Sequence, residues 1–189
     1  MELEYIPARK TQLNYYRDVP LYAQGKAQKF VLYKSSGITL HDMRIAEELY
    51  PKKLYIKWTD KIAGIQEVQK VFNQHLKENI QSNKPEKIRE TLVNIMEETL
   101  TEPRSGSLEG VSDTVNIVVD EYIQNNDVIK NLVDMSAKDY TTALHSVNLM
   151  ALVLGYAAYA DYSLPQQKLM GLCALLHDIG KTKINTDLL

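Results

Sequence analysis

The strongest constraint on this chain is a change of hydrophobic period near Trp58. Before it, VPLYAQGKAQKFVLYKSSGITL alternates as two β-rich runs from Val19, with turns at Gln24-Gly25 and Ser35-Ser36-Gly37. LHDMRIAEELY then has the pattern of a short helix, and KKLYIKW that of a further strand. After Trp58 the period becomes helical, with Ile62, Ile65, Val68, Phe72 and Leu76 on one stripe and a break at Asn83-Lys84-Pro85. TEPRSGSLEG is expected to be a loop. Further helices are expected from Glu109 to Gln124, Asp127 to Met135, Asp139 to Ala160 and Pro165 to His177. A pleated, two-sided element and a run of amphipathic helices cannot share one pattern. The fold class is therefore α+β: an N-terminal α+β module over 1–58, a helical connector over 59–138 and a helical region over 139–189.

With 189 residues, 44% of them hydrophobic, the chain can bury a core as one large domain or two small ones. Net charge is -2, and Lys and Arg form no basic stripe of the kind that tracks a phosphate backbone, which excludes a nucleic-acid polymer as partner. Cys173 is the lone cysteine, so no internal disulfide can form. The opening residues MELEYIPARKTQLNYY hold no apolar h-region, and a cytoplasmic location is expected. Residues 141–160 lack Asp, Glu, Lys and Arg, yet Thr141, His145 and Asn148 would set a polar stripe in lipid. A buried helix of a soluble protein is expected there, with no membrane partner. Tyr15, Tyr16, Tyr22, Tyr33, Tyr50 and Tyr55 crowd the first module, as half-buried strand positions or as a surface on which a ligand stacks.

The chemistry centres on LLHDIGKTKI, residues 175–184, where an apolar run stops at a histidine and an aspartate. Imidazole and carboxylate are ligands for divalent metals. The same pair at His41-Asp42 follows Gly37-Ile38-Thr39-Leu40 and has no second ligand at helical spacing, so it is expected to be an exposed helix start capped by Thr39 or Asp42. His75, among polar neighbours, is expected at the surface. His177-Asp178 differs because His145 lies 32 positions earlier on an otherwise apolar helix. Ser163-Leu164-Pro165 starts the second helix and Gly180 is placed to stop it, which sets His177 and Asp178 on its last turn. A short turn near Asp161-Tyr162-Ser163 makes the two helices antiparallel neighbours, bringing positions 145 and 177 to the same end. Alone, His145 would be a core histidine bonded to a carbonyl; beside His177 and Asp178 it becomes a candidate metal ligand. Lys181 can supply a point charge to a phosphate or answer the helix dipole.

His145-Ser146 followed by HDIGK at 177–181 resembles the HD phosphohydrolase superfamily, and residues 139–189 resemble the opening of an HD-GYP domain, a bacterial group of cyclic di-GMP phosphodiesterases. That resemblance implies that His145 and His177 are metal ligands, that Asp178 is shared between two metals and that Lys181 meets substrate phosphate. It implies two divalent ions, with iron or manganese favoured, and a cyclic dinucleotide substrate. Some HD-GYP proteins carry a glutamate four positions before the first histidine for a third metal; here that position is Thr141, so two metals are expected. The remaining ligands and the Gly-Tyr-Pro signature of that group lie beyond HDIGK, and within residues 179–189 only Asp187 could add a ligand. The chain is accordingly expected to be the front portion of a longer enzyme, truncated at its C-terminus and inactive by itself. Another expectation from the same residues is a non-catalytic HD or HDOD-like scaffold, or a phosphohydrolase of another nucleotide. The first module is expected to regulate or dimerise, with a homodimer formed through it or through the helical connector.

Overall fold

The structure is a computed structural model describing residues 4–25, 29–43, 51, 53–101, 107–124, 130–131 and 141–184. The body of the helix expected after His41, at 44–50, and most of that expected from Asp127 to Met135 lie outside the described residues. Contacts divide the chain into two compact units, Met1–Val71 and Phe72–Leu189.

In the first unit, strands β1 (Tyr5–Pro7), β2 (Leu21–Gln24), β3 (Phe30–Lys34) and β4 (Leu54–Lys57) form one antiparallel sheet in the order β1-β4-β2-β3. The strands expected between Val19 and Trp58 are present. β1 was not foreseen, because three residues ending in proline carry too little alternation to register. Ile6 pairs with Ile56 and Ala23 with Leu54, which puts them on one face, and that face packs on helix α1 (Lys61–Gln81). The approach is close: a Cβ on Gly64 would meet Tyr16 Cε1 at 3.2 Å and Ile56 Cδ1 at 3.5 Å. Leu13, Tyr16, Val19, Leu21, Leu40, Leu54, Ile56 and Val68 form the core. Ile62, read as part of the buried stripe of α1, is instead exposed.

Two charged side chains fix the irregular backbone at 17–19. Glu67, on α1, accepts hydrogen bonds from the amides of Arg17 at 3.1 Å, Asp18 at 2.6 Å and Val19 at 3.3 Å. Lys34 is almost fully buried, and its ammonium donates to the carbonyls of Arg17, Ser35 and Ile38 at 2.9, 3.0 and 2.9 Å. Three acceptors match the three protons of an ammonium, which offsets its loss of water. Burial still pulls the Lys34 pKa below the usual lysine range, opposed by the charges of Glu67 and Asp18.

The second unit is helical. Beyond the end of α1 come α2 (Pro85–Thr101), α3 (Ser107–Gln124), α4 (Thr142–Tyr159) and α5 (Leu164–Leu176), followed by a 3-10 turn at Ile179–Lys183. The loop expected through Gly110 is shorter than its composition suggested, since Ser107 to Gly110 already belong to α3. α2 buries Ile88, Thr91, Leu92, Ile95, Met96 and Thr99, a helical stripe that packs on α3 and α4. α5 packs on α4 and α3. Inside the unit, Asn73 Nδ2 donates to the Gly110 carbonyl at 3.0 Å and Thr114 Oγ1 donates to Asn73 Oδ1 at 2.7 Å, so the polar groups joining α1 to α3 are mutually satisfied.

Two helices end in the same way. Asn83 after α1 and Asp161 after α4 adopt φ of 47° and 54°, and the amides of Lys84 and Tyr162 reach back to the carbonyls of Asn79 and Ala157 at 3.0 Å. These are Schellman caps, with the left-handed residue turning the chain sharply. α4 buries Ala143, Leu144, Ser146, Val147, Met150, Ala151, Leu154 and Ala157, as a helix of a globular core does, while Leu152, Tyr156 and Tyr159 are exposed. Among the described residues no helix is long and apolar enough to cross a membrane.

The Glu67 clasp sets a stability test for the first unit. Glu67→Ala leaves three amides without their acceptor and is expected to cost about 2 kcal/mol, reduced from the full charged-bond value because two of the bonds are exposed. Denaturant unfolding should show this loss, and amide exchange should accelerate at Arg17, Asp18 and Val19; an unchanged midpoint with unchanged exchange would remove the clasp from the account.

Candidate metal centre

α4 begins at Thr141, whose Oγ1 accepts from the Leu144 amide at 3.2 Å while its carbonyl accepts from the His145 amide at 2.9 Å. The position held by a glutamate in some HD-GYP proteins is thus a helix cap here. His145 sits one turn into α4, between the buried Leu144 and Ser146. The chain then turns at Asp161, and Gln166 accepts from the amide and hydroxyl of Ser163 at 3.0 and 2.7 Å to start α5.

α5 returns alongside α4. A Cβ on Gly171 would meet Leu154 Cδ2 at 2.9 Å, and His177 meets His145, so the pair runs antiparallel with 154 beside 171 and 145 beside 177. The helix ends one residue earlier than expected, at Leu176. His177 is its C-cap at φ -56° and ψ -32°, and Asp178 at φ -98° and ψ 5° leads into the 3-10 turn. Gly180 therefore does not stop the helix in a left-handed conformation: it lies inside that turn, among the glycines without positive φ. The tightening of the backbone to a 3-10 geometry, held by the Lys181 amide on the Asp178 carbonyl at 2.9 Å, ends α5 instead.

This geometry gathers three candidate ligands. His145 Nε2 and His177 Nε2 are 3.2 Å apart; Asp178 Oδ2 lies 3.2 Å from His177 Nε2 and 3.8 Å from His145 Nε2. Among the described residues this is the group of histidine and acidic side chains whose ligand atoms all lie within 4.8 Å of one another. Two nitrogens bound to one tetrahedral zinc at about 2.0–2.1 Å would be about 3.3–3.4 Å apart, so the spacing suits ligands of a common ion. His177 Nδ1–H donates to the Ala174 carbonyl at 2.7 Å, which leaves the Nε2 lone pair facing the other two ligands. Sequence reasoning did not find this carbonyl. Its only signal is a spacing of three residues, which any helix supplies.

Lys181 donates to Asp178 Oδ2 at 2.6 Å. This hydrogen bond is the main reason the Asp178 carboxyl lies below the usual carboxylate range; burial opposes it, and the His177, Lys181 and His145 charges add to the lowering. The first His-Asp pair is of another kind. It lies in the first unit, both residues are exposed, and Asp42 and Thr39 cap each other: the Thr39 amide donates to Asp42 Oδ2 at 2.8 Å and the Asp42 amide to Thr39 Oγ1 at 3.1 Å. The Thr39 amide holds the Asp42 carboxyl low as well, so a depressed carboxyl alone does not mark the site. His75 is exposed on α1. Asp187 lies outside the described residues.

No protein-family profile and no curated protein matches the chain. In fold it is similar to the solved structure of Bd1817, an HDG"Y"P protein from Bdellovibrio bacteriovorus, with a TM-score of 0.50 and 21% identity over 93% of this chain. The chain spans 60% of the length of that structure. The fold resemblance thus falls on an HD-GYP-type protein, as the residues around His145 and HDIGK suggested.

Asp178 and Lys181 set a pH test. The folded-state pKa of Asp178 is depressed, so the stabilisation from the pair is present above the unfolded carboxylate pKa and disappears as pH falls through the folded value. Lys181→Met should move the Asp178 carboxyl titration upward in a carbon-detected NMR experiment. An unmoved titration would mean that Lys181 is not the principal cause.

Proposed function

We propose that His145, His177 and Asp178 are ligands of a metal site in an HD-type phosphodiesterase of bacterial signalling, acting on cyclic di-GMP through two divalent ions, iron or manganese favoured. The observation carrying this reading is the 3.2 Å separation of two Nε2 atoms beside a carboxylate oxygen. When bound, such a pair of ions supplies a hydroxide for in-line attack on phosphorus and neutralises charge growing on the phosphate oxygens.

The protein's own groups do the rest. Ala174 fixes the His177 tautomer, so that Nε2 is a ligand and not a donor. Asp178 is ionised across the working pH range and has two oxygens, which suits it to serve two ions. Lys181, half exposed and already at the carboxylate, is placed to leave Asp178 and give its charge to an incoming phosphate oxygen. Three ligands cannot complete two coordination spheres, and we assign the remaining ligands to residues outside those described.

Two measurements test the reading. Metal titration calorimetry should show binding that weakens as pH falls, since protons compete for the imidazole nitrogens, and that His145→Ala weakens at least about tenfold. Cyclic di-GMP hydrolysis with manganese or iron should be lost in the Asp178→Ala variant. Full turnover by the Asp178→Ala protein would remove the carboxylate from the mechanism.

A further inference from the structure

The sheet has a second face that the candidate metal centre does not use. Register puts Tyr5 opposite Lys57, Tyr55 opposite Tyr22 and Phe30 opposite Gln24, so these side chains share the face turned away from α1. One aromatic ring comes from each of the four strands. Tyr5 stacks on Phe30 with centroids 4.2 Å apart and planes 13° apart, Tyr22 meets Tyr5 edge-on at 5.0 Å, and Tyr55 meets Phe30 edge-on at 4.9 Å. β1 and β3 are the two edges of the sheet, separated by β4 and β2, or about 14 Å at ordinary strand spacing. The Tyr5 and Phe30 rings therefore reach inward from opposite edges and roof the middle strands.

A roof built only to seal the sheet would be buried. All four rings are instead half-exposed, and Leu32 beside them is 53% exposed. Charge on this face has one sign. The Lys57 ammonium stands 5.8 Å from the Tyr22 ring centroid, Lys53 is exposed two residues before Tyr55, and the strand residues of the face include no carboxylate. Open π surface with ammonium groups at its margin is complementary to a planar base carrying phosphate. A polymer would need a longer basic track than this chain offers, with its net charge of -2.

We propose that this face binds a nucleotide, the base stacking on the Tyr5–Phe30 pair and the phosphate meeting Lys57 and Lys53. The site belongs to the first unit and does not depend on the metal-site reading.

Isothermal titration calorimetry reads binding to the face directly. The titration uses the full chain carrying Asp178→Ala, with a chelator present, so that the metal centre cannot hold or cleave the probe. GTP, ATP and cyclic di-GMP are added separately, with inorganic phosphate as control. The expected result is saturable binding of at least one nucleotide and none of phosphate. Phe30→Leu, which keeps apolar bulk but removes the ring, and Lys57→Ala should each weaken binding about tenfold, the latter with the melting temperature unchanged. Should Phe30→Leu fail to fold, Lys57→Ala decides alone. Absence of saturable binding by all three nucleotides, or binding that Lys57→Ala leaves unchanged, would overturn the proposal.

Discussion

The close approach of α4 and α5 at Gly171 is the constraint on which the candidate centre depends. Any larger residue there would press on Leu154 Cδ2 at 2.9 Å and on Val115 Cγ1 at 3.0 Å, so either those side chains would have to shift or α5 would have to withdraw from α4 and α3. Interaxial distance is set by the side chains at the contact, and glycine allows the smallest. With the spacing fixed there and the turn at Asp161 fixing the start of the return, the register of the pair is determined. His145 and His177 are brought together by that register, their Nε2 atoms 3.2 Å apart. The ligands are thus positioned by apolar packing on one side and by the Ala174 carbonyl on the other.

Much of this was legible before any coordinates. The switch of period at Trp58 separates sheet from helices, the break at Asn83-Lys84-Pro85 falls between α1 and α2, and the Ser163 start and short turn imply the antiparallel pair. What escaped was local and geometric. β1 is too short for a periodic signal, and the end of α5 turned on whether the backbone tightens into a 3-10 turn, which Gly180 permits but does not dictate. The carbonyl that orients His177 has no side chain and leaves no mark in a sequence. The two His-Asp pairs show the same limit from the other direction: identical letters become a helix cap at 41–42 and part of a ligand cluster at 177–178, because only the second has a histidine brought beside it by tertiary packing.

Acidic and basic groups serve opposite ends of one stretch of backbone in the first unit. The 17–19 segment gives three amides to Glu67, while the Arg17 carbonyl accepts from both Lys34 and the Gly37 amide. Peptide dipoles without regular secondary structure are thereby satisfied by whole charges, and the buried Lys34 ammonium fills a role that an aliphatic chain could not.

The Glu67 clasp also bears on how the first unit can be assembled in time. It joins residues 48 to 50 positions apart, so β2, β3 and β4 are all contained in the loop it closes. Bringing the ends of such a loop together loses chain entropy before any bond is gained, and contacts of this separation slow folding. Helix α1 is local and can form within microseconds, but its carboxylate finds its amides only after the intervening strands have shortened the path. The sheet must accordingly be largely in place before residues 17–19 are ordered, which makes that irregular segment a late element of the folding reaction despite its position near the start of the chain.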